Sequence, residues 1–245
     1  MSTGTPILPP ATIGVLGGGQ LGRYAVMAAQ AMGYRTLVLE PDPHAPAGRV
    51  ADVHLVAAYD DDEALRRMGD ECSVVTTEFE NPPAAALEVL DRRTIVAPSP
   101  RAVSIAQDRV REKTFLADAG LPIGPYAVVD DASADPAIAY PAILKTARLG
   151  YDGKGQRFVA DASEMRAAWR LLGSVPCVLE TALDLRTEVS AVVARTASGA
   201  FASYPVAENS HTDGILDLTV VPASVSRRLA DRAVGLGLAI ADALD

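Results

Sequence analysis

The amino-acid sequence predicts a parallel α/β first half joined to an α+β second half. Two observations carry the first half: short β-branched runs alternate with helix-length segments from Thr12 to about Pro98, and a glycine turn links the first run to the first helix. A third carries the second half, where four β-rich runs follow one another with connections too short for crossover helices. The regime changes at PSPRA, which gives domains of 1–105 and 106–245.

Taken in order, TIGVLG is a strand and Gln20 to Met32 a helix stopped at Gly33, followed by the strand RTLVLE. CSVVTTE is a further strand. Pro82 and Pro83 then open the helix PPAAALEVLDRR where proline is tolerated, and TIVA returns as strand. A helix from about Asp108 is stopped by Gly120 and Pro122, and the strands PYAVV, PAILKTA and QRFVA follow. Asp161 to Leu172 reads as a helix capped by Asp161, with Glu164 in the reciprocal position and Met165, Ala168, Trp169 and Leu172 on one face. CVLETAL, RTEVSAVVAR, AFASYPVAE and ILDLTVVPA are expected to form one antiparallel sheet. Ser224 to Asp245 is expected to be a helix with Val225, Leu229, Ala233, Leu236 and Ile240 along one side; either it lies on that sheet or the chain is truncated there.

Composition removes several functional classes. Of 245 residues, 49% are apolar, enough for a substantial core. Lys and Arg number 22 against 31 Asp and Glu, a formal charge of −9, with no basic block for a nucleic acid to follow. The start MSTGTPILPP lacks a signal-peptide pattern, and no window approaches the ~18 apolar residues of a membrane helix, so a cytoplasmic protein is expected. Cys72 and Cys177 sit in apolar strands and read as buried thiols; three histidines without clustered cysteines make a zinc site improbable.

Two glycine loops carry the chemistry. Gly17, Gly19 and Gly22 give G-x-G-x-x-G between strand and helix, which lets backbone N–H groups approach a phosphate at a helix N-terminus. Glu40, at the end of the second strand, stands near where a ribose-binding acid sits in an NAD protein. The turn alone suits either a dinucleotide or another anion. In LKTARLGYDGKGQ, Gly150, Gly153 and Gly155 surround Lys154 between two strands. That is a flap able to close on phosphates, unlike a Walker loop, or else a glycine-rich hairpin with a solvated lysine. Lys145, within AILKTA, needs an anion if buried or an edge position if not.

GGGQLGR, TTEFEN, QDR, ILKT, LGYDGKGQ, VLE and YPVAENSHTDGIL occur in the order seen in the 5-(carboxyamino)imidazole ribonucleotide synthases, ATP-grasp ligases of purine biosynthesis, and the chain resembles that family from Ile13 to its last helix. The resemblance implies a Rossmann-like pre-ATP-grasp domain, then an incomplete α+β ATP-grasp domain whose two subdomains hold ATP between them. Arg109 and Lys145 would contact the phosphates, and Gly150, Tyr151, Asp152, Gly153, Lys154, Gly155 and Gln156 would form the flap. Glu180, Thr181, Ala182 and Leu183 would line the adenine edge, Glu188 would hold the ribose, and His211 would lie near the transferred phosphate. Tyr151, Asp152 and Lys154 are candidates to approach bicarbonate and the amine. Glu78 and Glu80 are candidates for aminoimidazole ribonucleotide, with Gly17 to Leu21, and Gly19, Gln20 and Leu21 in particular, around its 5′-phosphate.

The implied reaction phosphorylates bicarbonate to carboxyphosphate; the exocyclic amine of aminoimidazole ribonucleotide captures it, or CO2 released from it, giving the carbamate, ADP and phosphate. Closing the flap would keep water from the anhydride. The family's chain continues past the last helix into carboxylate-bearing segments that bind Mg2+ and a small β-rich domain. The metal ligands are therefore expected beyond Asp245, and these residues alone are expected to be inactive or nearly so. A homodimer is the family expectation. A formate-using glycinamide ribonucleotide transformylase, an NAD-linked oxidoreductase and a non-catalytic nucleotide-binding fragment are the competing readings.

Overall fold

The computed structural model describes residues 6–131, 136–150, 155–196, 198–212 and 214–244. It divides into two compact units, Met1–Ala106 and Gln107–Asp245.

The first unit is a five-stranded parallel sheet. Its elements are β1 (Thr12–Leu16), α1 (Gln20–Ala31), β2 (Arg35–Leu39), β3 (Val53–Leu55), α2 (Asp62–Glu71), β4 (Val74–Thr77), α3 (Ala84–Asp91), β5 (Ile95–Val96) and α4 (Pro100–Ala106). The strand order β3-β2-β1-β4-β5 reverses at β1, so the ends of β1 and β4 meet at the switch point where such sheets bind ligands. β2 is buried from Thr36 to Leu39, as expected of a strand covered on both faces. On one side Leu16, Leu37, Leu39, Leu65, Met68, Leu87 and Leu90 form the core; on the other Val15, Val26, Val38 and Ala47 pack together. Strand β3 and helices α2 and α4 were not among the segments singled out from sequence. Helix α2 carries a local signal, the side chain of Asp61 accepting from the Ala64 N–H at 2.8 Å, whereas β3 is only three residues long.

The second unit begins with α5 (Arg109–Asp118), capped by Asp108, whose carboxylate accepts from the N–H groups of Val110 and Arg111. β6 (Tyr126–Val129), β7 (Ala142–Thr146), β8 (Gln156–Val159), α6 (Ala162–Leu171) and β9 (Cys177–Thr181) follow, with antiparallel order β6-β9-β7-β8. One face of this sheet is buried through Val129, Ala142, Leu144, Cys177 and Leu179, packed against Met165, Ala168 and Trp169 of α6. The Asp161 carboxylate caps α6 through Ser163 and Glu164, and Glu164 reaches back to the N–H of Ala160, one residue before the cap. Pairing alternates along each strand, so Ile143, Lys145, Val178, Glu180 and Tyr126 share the other face.

The remainder departs from the single sheet expected of the four β-rich runs. β9 joins the four-stranded sheet; β10 (Glu188–Ser190), β13 (Ala207–Thr212) and β14 (Ile215–Val220) form a second sheet; β11 (Val193–Arg195) and β12 (Phe201–Ser203) form a two-stranded ribbon. Two of the runs are each divided between sheets, one of them at Pro205, which lacks the N–H a continuous ladder needs. The final helix, α7 (Arg227–Leu244), starts after Val225, and an added Cβ at its Gly237 would lie 3.2 Å from Val193 of β11. It rests against the ribbon, and Arg195 of β11 pairs with Asp242 at 2.5 Å.

Both cysteines are buried and free, and burial pushes the Cys72 thiol up to about 12 and the Cys177 thiol up to about 11. Among the described residues no helix is long and apolar enough to cross a membrane.

Candidate functional site

In the first unit the glycine turn sits at the end of β1 because only glycine fits there. Gly17 has φ +105°, and a Cβ on it would fall 2.6 Å from Cγ of Glu78. That closeness places two carboxylates on the turn. The Gly18 N–H donates to Glu40 Oε2 at 2.9 Å, the Gly19 N–H to Glu78 Oε1 at 3.0 Å, and the Gly22 N–H to Glu78 Oε2 at 3.2 Å. Glu78 thus sits where an anion is favoured, at the N-terminus of α1.

The turn expected to cradle a phosphate, Gly17 to Leu21, thus already has two of its amides engaged within the protein. The Gly18 and Gly19 amides hold side chains of the protein, and the Gly17 N–H donates to Leu39 O, which leaves Gln20 and Leu21 as the first-turn N–H groups that neither carboxylate engages. Beside them Gln20, Arg23, Tyr24, Met27 and Pro46 line a cavity of about 310 Å³, in which Arg23 supplies a cation. Glu40 is likewise not a free ribose acid: its carboxylate also accepts from the Tyr59 hydroxyl and the Asp42 N–H. Burial, then the Glu40 hydrogen bond, push the Tyr59 phenol above its ordinary value, and its ring lies against Phe79 with centroids 5.4 Å apart. Glu80 is exposed and takes no part in this network.

In the second unit the anion that Lys145 requires is on the next strand. Glu180 of β9 stands opposite Ile143 of β7, which puts Lys145 diagonally across from it. Lys145 Nζ donates to Glu180 Oε2 at 2.8 Å, and Lys113 of α5 lies 3.2 Å from Glu180 Oε1. The three side chains are only 18–22% exposed. Burial raises the Glu180 carboxyl, but the hydrogen bond and charge of Lys145, then those of Lys113, outweigh it and hold the group below the usual carboxylate range. Lys113 belongs to none of the motifs named above. Its signal was there in QDRVREK, since Lys113 lies four residues after Arg109 and so shares its helical face.

The surrounding backbone is tied down. Arg109 N–H donates to Ala147 O at 2.9 Å, fastening the start of α5 to the end of β7. The N–H groups of Thr181 and Ala182 donate to Pro125 O and Pro141 O, so along 180–183 the next backbone donor is that of Leu183, whose side chain is exposed. Gln156 pairs with Lys145, and the Gly155 carbonyl accepts from Thr146 N–H at 2.8 Å. Gly155 has φ +79°, and a Cβ there would lie 2.7 Å from Thr146 Oγ1 and 3.4 Å from Gly150 Cα, so the two ends of the flap meet at its base. Tyr151, Asp152, Gly153 and Lys154 lie outside the described residues.

Glu188 and His211 come together on the second sheet. Glu188 pairs with Asn209 across β10 and β13, and His211, two residues on, brings Nε2 to 3.7 Å from Glu188 Oε1. His211 lies within strand β13. Among the described residues no group of three or more His, Cys, Asp or Glu converges to hold a metal ion.

A family model described as the ribonucleotide synthetase preATP-grasp domain matches residues 10–107, and one described as the ATP-grasp domain matches residues 114–245. The N5-carboxyaminoimidazole ribonucleotide synthase of Brucella melitensis is 42% identical over 247 residues, 98% of this chain and 68% of that protein. The crystal structure of the Staphylococcus aureus N5-carboxyaminoimidazole synthetase complexed with ADP is similar with a TM-score of 0.87 at 35% identity, covering 96% of this chain and 64% of that one. The Aspergillus clavatus N5-carboxyaminoimidazole synthase in complex with ADP and 5-aminoimidazole ribonucleotide gives 0.84 at 26% identity, covering 96% and 63%. This chain therefore spans about two thirds of the length of these relatives. Its two units are a pre-ATP-grasp and an ATP-grasp domain, and the chain belongs to the N5-carboxyaminoimidazole ribonucleotide synthase family.

Proposed function

We propose that the chain serves the ATP-dependent carboxylation of 5-aminoimidazole ribonucleotide by bicarbonate, with nucleotide bound on the face of the four-stranded sheet that carries Lys145 and Glu180 and the ribonucleotide at the glycine turn. The observation that carries the reading is the Lys113–Glu180–Lys145 cluster: two ammonium groups against one carboxylate leave a net positive charge on a sheet face that also offers Ile143 and Tyr126. A polyphosphate meets that charge, and a flat base meets that face. ATP supplies the phosphoryl group that makes a bicarbonate oxygen a leaving group. Family membership favours this chemistry over formate transfer to glycinamide ribonucleotide and over hydride transfer to NAD.

The chain's own residues divide the work. Lys145 and Arg109 neutralise phosphate charge at the joined ends of β7 and α5, and the flap from Gly150 to Gln156 closes over it to exclude water. Leu183 and the carbonyls of Glu180 to Ala182 read the adenine edge. Glu188 holds the ribose hydroxyls and positions His211 beside the transferred phosphoryl group. Tyr151, Asp152 and Lys154 are assigned to bicarbonate and the attacking amine. At the glycine turn, Gln20 and Leu21 donate to the 5′-phosphate with Arg23 beside it, while Glu78, fixed by Gly19 and Gly22, offers its remaining lone pairs to the ribonucleotide, with Glu80 at the rim. Mg2+ is the expected partner of the phosphates, and a homodimer in the cytoplasm is the expected setting.

Thermal melting with each ligand tests the assignment. ATP, ADP and 5-aminoimidazole ribonucleotide should each raise the melting temperature, whereas NADH should not. Stabilisation by NADH without stabilisation by ATP or ADP would overturn it.

A further inference from the structure

We infer that Lys113 is a positioning residue for nucleotide recognition, holding Glu180 so that Lys145 meets the nucleotide phosphates with its charge uncompensated; this rests on the nucleotide site proposed above. The two carboxylate oxygens are divided between two cations: Oε2 accepts from Lys145 at 2.8 Å and Oε1 faces Lys113 at 3.2 Å. With Lys145 alone, one ammonium and one carboxylate would cancel, and the face would present a dipole. With Lys113 in place the cluster keeps one positive charge, and a side chain only 18% exposed screens it weakly.

The position of Lys113 is itself built. It projects from α5, the helix whose cap is Asp108, and its Nζ lies 5.9 Å from the centroid of Tyr126. Tyr126 stands directly opposite Glu180 in the β6–β9 register, so ring and carboxylate together fix one ammonium over the edge of the proposed base site. The same geometry gives Glu180 a partner whenever Lys145 turns toward a phosphate. The partly buried carboxylate is then never left without a cation, which would be costly.

Calorimetric titration of the chain with ATP, ADP and adenosine, for the wild type, Lys113→Met, Lys113→Gln and Lys113→Arg, tests the inference. Lys113→Met and Lys113→Gln should each weaken ATP and ADP about tenfold while leaving adenosine within about twofold, and Lys113→Arg should restore ATP to within about threefold of wild type. A purely structural role would instead weaken adenosine as much as ATP, and that result overturns the inference, as does ATP affinity unchanged in both neutral variants. If the wild type binds neither ATP nor ADP, the nucleotide site itself is refuted and the inference with it.

Discussion

Glu78 accepts a hydrogen bond from the backbone N–H of Gly19 at 3.0 Å, so a carboxylate of the protein occupies the anion position at the start of α1. The second oxygen takes the Gly22 N–H. A glycine turn of this spacing ordinarily offers those amides to a ligand phosphate. Here the sheet supplies its own anion from the end of β4, and the ligand is left with Gln20, Leu21 and the neighbouring Arg23.

Removing that carboxylate should both loosen the turn and open it. Glu78→Ala is expected to lower stability by about 1–3 kcal/mol, the cost of two charge-assisted hydrogen bonds to partly buried amides. Millimolar inorganic phosphate should then raise the melting temperature of the variant by more than that of the wild type. Calorimetric melting with and without phosphate checks both parts; equal responses of the two proteins would show that the amides are not an anion site.

Helix α6 offers a test free of ligands. Asp161 caps it through two hydrogen bonds, to Ser163 and Glu164 at 2.7 and 2.9 Å, and α6 closes the buried face of the four-stranded sheet. Asp161→Ala should cost about 1 kcal/mol in denaturant unfolding, and Asp161→Asn or Asp161→Ser should recover most of it.

The Glu180 cluster makes stability depend on acid in a definite direction. Its carboxyl sits below the ordinary value of 4.5 when folded, because the two lysines outweigh the opposing effect of burial. Its contribution is therefore fully present above pH 4.5 and is lost as the pH falls through the lower folded value. Glu180→Gln should melt below the wild type at neutral pH, and the gap should narrow as the pH is lowered from 4.5, as scanning calorimetry across that range would show. A gap that widens on acidification would contradict the assignment.

Much of this architecture was legible in the chain because its signals are local. The strand and helix around Gly17, the proline-led helix at Ala84 and the Asp161 cap each follow from a few neighbouring residues. Pairing between β-rich runs is not local. Nothing within CVLETAL says that it joins PAILKTA in one sheet while ILDLTVVPA joins another, because strand partnership is decided across the fold. The site divides in the same way. Lys145 announced itself as a lysine in an apolar strand in need of an anion, but which anion answered, Glu180 of β9, depends on the β7–β9 register. Glu40 and Glu78 looked like ligand-binding acids at strand ends; that both turn onto the glycine amides follows only from the order in which β2, β1 and β4 lie side by side.

The nucleotide site turns on Lys145, and the affinity of the Lys145→Met chain for ADP tests it most directly. Loss of one charge-assisted contact to a phosphate predicts binding weaker by about 10- to 100-fold than wild type, with the fold retained by circular dichroism. ADP affinity equal to that of the wild type would contradict a nucleotide site on this face of the sheet.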